Sequence, residues 1–170
     1  MDPLRSAAIL LLLAMAGLTA FSQVVPNRGL TPADLDLART LTGEVGGPTA
    51  ELVYAHRFDP VTRGQFDSLL VVYYRKNDRG QSESFAFIHR DGQRLILALD
   101  SRGRVLPPGD RFLRVGLRRL PDQPPILRVV GSFDDPALGS SQRNVDYQFN
   151  RTDFALVGQS VNRLTSLPRN

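Results

Sequence analysis

After residue 48 the hydrophobic and polar residues alternate in short segments that end at turn-forming residues, which is the pattern of β-strands. The segment 68–75 is apolar on both faces, as expected of a strand in the middle of a sheet. Asp91-Gly92 predicts a tight hairpin, because both residues tolerate a positive φ. We predict strands over 51–58, 68–75, 83–89, 94–99, 104–106, 111–119, 126–133, 145–149 and 154–158, with a polar loop over 139–144.

Nearly all of these strands are joined by short turns, which indicates an antiparallel meander. We therefore expect a mainly β fold, forming a compact sandwich or a partly rolled barrel. The segment 111–119 also fits helical spacing, but the proline-rich 121–125 after it favours a hairpin loop and hence a strand. One short helix is expected over 32–41, since Thr31 can cap it and Gly43 is a natural stop.

The N-terminal residues follow a different pattern. Arg5 supplies a positive charge, residues 7–20 are almost entirely apolar, and Ala20-Phe21-Ser22 fits the small-x-small rule for cleavage. This predicts a secretory signal peptide over 1–22, cleaved after Ser22, with cleavage after Ala20 as the second choice. A spanning helix needs about 20 apolar residues, so the stretch is short for an uncleaved anchor, which is the remaining alternative. Either way a periplasmic or extracellular location is expected for an N-terminal extension (23–48), a β-rich domain (49–159) and a loosely ordered tail (160–170).

Composition narrows the classes of partner. The chain has no cysteine, which excludes disulfides, thiolate metal sites and Cys-linked lipid anchors. The net charge is +4 and every basic residue except Lys76 is an arginine. A modest positive charge suits anionic partners, but an ordinary solvated surface is the preferred interpretation. The arginines are spread along the chain and no nucleic-acid-binding module is found, so we predict no nucleic-acid partner. No second long apolar run occurs, so no membrane span is expected once the signal is removed.

The first predicted strand is followed by a segment with part of the spacing of a calcium loop. Asp59, Gly64 and Asp67 occupy positions 1, 6 and 9 of such a loop. The segment resembles the FG-GAP or VCBS repeat, a calcium-loop-plus-strand unit of integrin-type propellers and of many exported bacterial proteins. Val61 and Arg63 replace the oxygen ligands of positions 3 and 5, so we predict no metal and no other cofactor. We expect Arg63 to pair with Asp59, Asp67 or both, and a simple polar hairpin loop is the alternative.

Two weak internal similarities suggest a duplication. Residues 127–134 resemble the strand that leads into Phe58-Asp59-Pro60, and residues 153–157 resemble residues 84–88. The two halves are therefore expected to form paired sheets of similar build. The closing segment 147–158 is also similar to the last hairpin of uncharacterised exported bacterial proteins with FG-GAP-like loops, a resemblance that implies no particular activity.

Candidate catalytic residues are few. His56 and His89 are the only histidines, and no spacing typical of a zinc site occurs. A set of Ser68, His56 and Asp67 can be assembled on paper, but no motif frames the serine as a nucleophile. The adjacent carboxylates Asp134-Asp135 would point to opposite faces of a strand and make a poor acid–base pair.

These observations favour an exported, non-enzymatic β-domain that binds a protein, a glycan or an anionic surface polymer. The alternative is a secreted or periplasmic hydrolase whose site the sequence does not reveal. A further hypothesis is attachment to anionic surfaces through Arg114, Arg118 and Arg128, provided that neighbouring strands bring them onto one face.

Overall fold

The computed structural model describes residues 30–59, 67–118, 123–150 and 153–164. The predicted signal peptide lies outside these residues. The described elements are one helix and eight strands: α1 (Pro32–Gly46), β1 (Glu51–Phe58), β2 (Ser68–Lys76), β3 (Ser82–Arg90), β4 (Gln93–Leu97), β5 (Arg111–Arg118), β6 (Ile126–Asp135), β7 (Gly139–Phe149) and β8 (Phe154–Arg163).

The strands form two antiparallel sheets of four strands each, which we call sheet A (order β1-β2-β3-β4) and sheet B (order β5-β6-β7-β8). Within each sheet every strand pairs with the next one in the chain, so each sheet is a meander. The predicted mainly β, antiparallel fold with one short helix is confirmed. The sheets are not closed into a barrel, and they stack as a sandwich.

Sheet A is covered on both faces. Its inner face packs against sheet B in one core that includes Leu70, Ile88, Val129 and Tyr147. Its other face packs against α1 in a second core. This explains why β2 is apolar on both faces: Val71 contributes to the helix-side core, whereas its neighbours in the chain contribute to the inner core.

The helix begins as predicted and ends five residues later than predicted. Thr31 and Asp34 form a reciprocal capping box at its start. Gly43 does not stop it, because the next turn packs against sheet A, where Gly46 is buried. Gly46 is the last helical residue and Gly47 is the C-cap. The φ of 82° at Gly47 lies outside the helical region, and its N–H donates to the Gly43 carbonyl.

Three of the predictions about strands and loops were wrong. Residues 139–144 were expected to be a polar loop but form the first half of β7, because β6 and β8 satisfy their backbone from both sides. Residues 160–163, assigned to a loosely ordered tail, complete β8 against β7. Residues 104–106 form no strand, and only Arg104 makes an isolated bridge, to Phe85.

Each sheet is a four-stranded meander, as the internal similarities suggested. The similar segments, however, do not lie in equivalent strands: each segment of sheet B is one strand further along its sheet than the segment of sheet A that it resembles. Residues 127–134 lie in β6, the second strand of sheet B, whereas the segment they resemble is β1, the first strand of sheet A. Residues 153–157 likewise lead into β8, the fourth strand, and resemble part of β3.

Candidate ligand-binding cleft

A polar cleft of about 770 Å³ opens where α1 ends over sheet A. Beyond Gly46 the helix no longer covers the sheet, and the helix-side face continues with Arg75, Glu83 and Phe85 as the floor of the cleft. The turn between β2 and β3 forms one wall. The connection between β4 and β5, which includes Arg102 and Arg104, contributes another part of the lining.

The lining of this cleft is strongly basic. Two acidic side chains, Asp78 and Glu83, face a larger set of basic ones: Arg75, Lys76, Arg79, Arg102 and Arg104. The cleft is therefore an electropositive concavity on a protein whose overall net charge is only +4.

Arg104 is neutralised by two carboxylates. Its Nη1 donates to Glu83 Oε1 at 3.0 Å and its Nε donates to Asp100 Oδ2 at 2.7 Å. Burial raises the pKa of Asp100, but the hydrogen bonds from Arg104 and from the backbone amides of Arg102 and Arg104 outweigh it, so the pKa is lowered. This network fixes the β4–β5 connection against the floor of the cleft.

The other cations of the cleft lack such partners. Among the residues that the structure describes, no carboxylate lies within ion-pair distance of Arg75, Lys76, Arg79 or Arg102, which we call the four cleft cations. The Arg75 guanidinium lies 4.8 Å from the centre of the Phe85 ring, a cation–π contact that leaves its charge uncompensated.

The turn that carries two of the cleft cations has a defined shape. The Asn77 side-chain oxygen accepts hydrogen bonds from the backbone amides of Arg79 and Gln81, each at 3.0 Å. Gly80 has a φ of 71°, which an L-residue rarely adopts. Lys76 and Arg79 are therefore presented on a preformed turn, which reduces the entropy that a bound ligand would have to overcome.

The arginines singled out from the sequence lie elsewhere. Arg128 is opposite Gly116 in the β5–β6 register, and Arg114 and Arg118 flank that glycine at alternate positions, so all three share the outer face of sheet B. Arg128, however, donates to both oxygens of Asp146 at 2.7 Å. This face is the opposite side of the molecule from the helix-side face that bears the cleft.

The calcium-like segment is described only at its two ends. Arg63 and Gly64 lie outside the described residues, so their expected pairing stays a prediction. Asp59 is buried, and the carboxylate of Asp67 pairs with Arg90 of β3 at 3.1 Å. In the described ranges no group of three or more His, Asp or Glu side chains is placed to hold a metal ion.

Ser68, His56 and Asp67 do not form a catalytic triad in the structure. The Ser68 hydroxyl donates directly to Asp67 Oδ1 at 3.1 Å, whereas His56 Nδ1 lies 2.8 Å from the Tyr54 hydroxyl. A catalytic histidine would have to stand between the serine and the aspartate. His89 contributes to neither contact, and its Nδ1 is buried without a hydrogen-bond partner in the described structure.

His56, the partner of Tyr54, borders a small cavity between β1 and β5. Burial lowers the pKa of His56 and raises that of Tyr54. The cavity is lined mainly by apolar side chains and measures about 40 Å³, which is space for a few water molecules at most. This cavity is therefore too small to hold a substrate.

The paired carboxylates Asp134 and Asp135 end β6 and stabilise the turn that follows. Asp134 accepts a hydrogen bond from the Ser140 hydroxyl, and Asp135 accepts from the amides of Ala137 and Leu138. Their contacts are those of a turn, and none of those within the described ranges involves a basic side chain.

Comparison with protein families, with curated proteins and with solved structures finds no match for this chain. The described helix lacks the length and apolar character that a membrane crossing requires. A functional proposal therefore rests on the sequence and on the geometry of the described residues.

Sequence reasoning missed the cleft because its parts are distant in the chain. The residues 75–79 and 102–104 were interpreted as the ends of strands and as turns, which they are. Their shared signal is basic residues within or beside turns, at Lys76, Arg79, Arg102 and Arg104. Only the folding of the β4–β5 connection over sheet A brings the two groups together.

Proposed function

We propose that this protein is an exported, non-enzymatic domain that binds an anionic glycan in the basic cleft. The observation that carries the proposal is the set of four cleft cations, which surround one cleft of about 770 Å³ without carboxylate partners among the described residues. Surface cations next to one another repel, so an arrangement of this kind is stabilised by an anion that bridges them.

The size and lining of the cleft favour a glycan over a small apolar ligand. Pockets for small molecules are about 300–1,000 Å³ and mostly apolar, whereas this cleft matches them in volume but is lined mainly by polar groups. Three of the four cleft cations are arginines, whose planar fork suits carboxylate and phosphate oxygens. Thr49 and Gln81 add neutral polar groups that suit sugar hydroxyls.

The same lining supports a binding role without catalysis. Acid–base chemistry needs a titratable group whose proton is available at the reacting atom. Glu83 is only 8% exposed in its side chain and is engaged by Arg104, and Asp78 lies in the solvent-exposed turn. Among the described residues that line the cleft, no set of groups is placed to perform the steps of the hydrolase alternative.

Export is the second component of the proposal and rests on the sequence alone. The apolar residues 7–20, preceded by Arg5 and followed by Ala20-Phe21-Ser22, support a signal peptide. Expression in a bacterial host followed by mass spectrometry of the extracytoplasmic fraction tests it. A mature chain that begins at Gln23 is expected, and a chain that stays in the cytoplasm with Met1 intact would contradict export.

Calorimetric titration with polygalacturonate tests the binding component. This polymer carries carboxylates along a sugar chain, and its methyl ester is the matched uncharged control. Binding to the acid form that weakens as salt is added, with no binding to the ester, is expected. Equal heats from both forms, or none from the acid form at low salt, would contradict the proposal.

A further inference from the structure

We propose that β8 is an assembly edge, along which the protein pairs antiparallel with β8 of a second copy. This inference is independent of the proposed cleft, because β8 is the last strand of sheet B and lines no part of that cleft. In the described part of the chain β8 pairs only with β7, and although β4 approaches β8, no described strand pairs with its other side.

The other three sheet edges are charged or short, and these are the features that distinguish them from β8, since β1, β5 and β8 each have one irregularity in register. β1 has Glu51 and Arg57 and an irregularity in its register, and β4 has only five residues. β5 has arginines at three positions and also a register shift. Charged and short edges of this kind are the usual protection against edge-to-edge association.

β8 has little of that protection. Residues 154–162 contain no charged side chain, and the ladder with β7 is regular over 158–163, after a single irregularity near Val157. Phe154 is buried in the inner core, but most of the remaining strand is exposed, including the apolar Leu156, Val157 and Val161. A long, uncharged and partly apolar edge is a template for an added strand.

The charges at the ends of β8 identify a second copy as the occupant. Asp153 precedes the strand and Arg163 ends it, and neither forms an ion pair among the described residues. If two β8 strands pair antiparallel about a twofold axis at Gly158, the irregularity at Val157 brings Asp153 of each copy to within one residue of Arg163 of the other. Two copies with a net charge of +4 each would thus meet along a neutral strand with opposite charges at both ends.

Gly158 is suited to the axis of such a pair. A Cβ added at this glycine would meet no atom within 4 Å, and its φ is not positive, so other residues fit there. Directly opposed residues of antiparallel strands have Cα atoms about 4.5–5.5 Å apart, which is within the range of a disulfide. Because the chain has no cysteine, Gly158→Cys introduces a single thiol at the proposed axis.

Sedimentation equilibrium of the purified protein tests the proposal. We expect the wild type to form a concentration-dependent dimer and Val161→Lys to be monomeric. Val53→Lys is the matched control, because Val53 lies on edge strand β1 with 39% exposure against 40% for Val161, and it should leave the dimer intact. A wild type that stays monomeric, or a Val161→Lys variant that still forms the dimer, would overturn the assignment.

Charge exchange and cross-linking test the register. Asp153→Arg should weaken the dimer at least tenfold, and the double variant Asp153→Arg/Arg163→Asp should restore it. Gly158→Cys should form a disulfide-linked dimer on mild oxidation, whereas Gly116→Cys, an equally open glycine on the edge strand β5, should not. Failure of the double variant to recover, or equal cross-linking at both glycines, would contradict pairing through β8.

Discussion

Arg128 and Asp146 lie directly opposite each other on β6 and β7 and are joined by two parallel hydrogen bonds of 2.7 Å. Such a bidentate pair fixes the planar guanidinium on the sheet surface. The hydrogen bonds to Asp146 also raise the pKa of Arg128. Of the three arginines that the sequence analysis proposed for binding an anionic surface, Arg128 is therefore already paired with a carboxylate of the same chain.

Replacing Arg128 should affect folding more than binding. We expect Arg128→Gln to lower the free energy of unfolding by about 1–2 kcal/mol, because charge-assisted hydrogen bonds at a partly buried site are lost. Chemical denaturation measures this change. The affinity for polygalacturonate should stay within twofold of wild type, and a large loss of affinity would show that the outer face of sheet B is the binding surface.

We expect that breaking the ion pair between Arg143 and Asp110 lowers the free energy of unfolding more than breaking the pair between Arg128 and Asp146. Their side chains are 15% and 5% exposed, and Arg143 Nε donates to Asp110 Oδ2 at 2.7 Å. Burial raises the pKa of Asp110 even though Arg143 opposes the effect. Arg143→Met should cost about 3 kcal/mol of stability, because it leaves a buried carboxylate without this partner.

A second substitution separates this explanation from lost packing. Asp110→Asn, added to Arg143→Met, removes the buried charge and should recover part of the loss. Unfolding curves of the single and double variants form a double-mutant cycle. If the double variant were less stable than Arg143→Met by the full effect of Asp110→Asn, the carboxylate would not be the cause.

Stability should fall as the pH drops below about 6.5, because of His56. Burial lowers the pKa of the folded histidine below its ordinary value of 6.5, so the unfolded chain binds the proton more tightly. The contribution is fully present above pH 6.5 and is lost as the pH falls through the lower, folded-state pKa. Thermal melts across this range measure it.

His56→Gln is the variant that isolates this effect. Glutamine can still bond to the Tyr54 hydroxyl but does not titrate, so the slope of Tm against pH should flatten just below pH 6.5. The acidic limb should remain, since the pKa of Asp34 and that of Asp100 are lowered from 3.8 and act in a more acidic window. An unchanged slope would show that His56 is not the group responsible.

Two glycines of α1 should respond in opposite directions to alanine. A Cβ at Gly46 would lie 2.4 Å from the Ala50 Cβ and 2.6 Å from the Tyr73 ring, so Gly46→Ala should destabilise the protein by about 1–3 kcal/mol. A Cβ at Gly43 would meet nothing within 4 Å, so Gly43→Ala should stabilise the helix by roughly 1 kcal/mol. Equal effects of both substitutions would contradict this packing of α1 on sheet A.

Local sequence signals were sufficient where local chemistry decides the structure. The N-cap at Thr31 and the Asp91-Gly92 hairpin both lie where the sequence predicted them, with positive φ at both hairpin residues. The alternation of β5 was sufficient from Arg114 to Arg118, which lie on the same face, but the register shift between Phe112 and Arg114 leaves Leu113 exposed, where the alternation had grouped it with Val115 and Leu117. These features depend only on residues close in the chain.

The missed features depend on partners far away in the chain. The polar half of β7 is a strand because β6 and β8 flank it, and β8 extends to Arg163 for the same reason. The helix passes Gly43 because sheet A supports its last turn. The cleft depends most strongly on distant partners. Arg75 and Arg102 line the same cleft only after the β4–β5 connection has folded against sheet A. Periodicity does not encode such contacts.

The most direct test of the proposed function compares two double variants with the same change in charge. Arg79→Gln/Arg102→Gln removes two cleft cations, and Arg114→Gln/Arg118→Gln removes two arginines from the outer face of sheet B. Titration with polygalacturonate at low salt should show a loss of at least about tenfold in affinity for the first variant, equivalent to about 1.4 kcal/mol, and little change for the second. Equal losses in both, or a larger loss in the second, would contradict binding in the cleft.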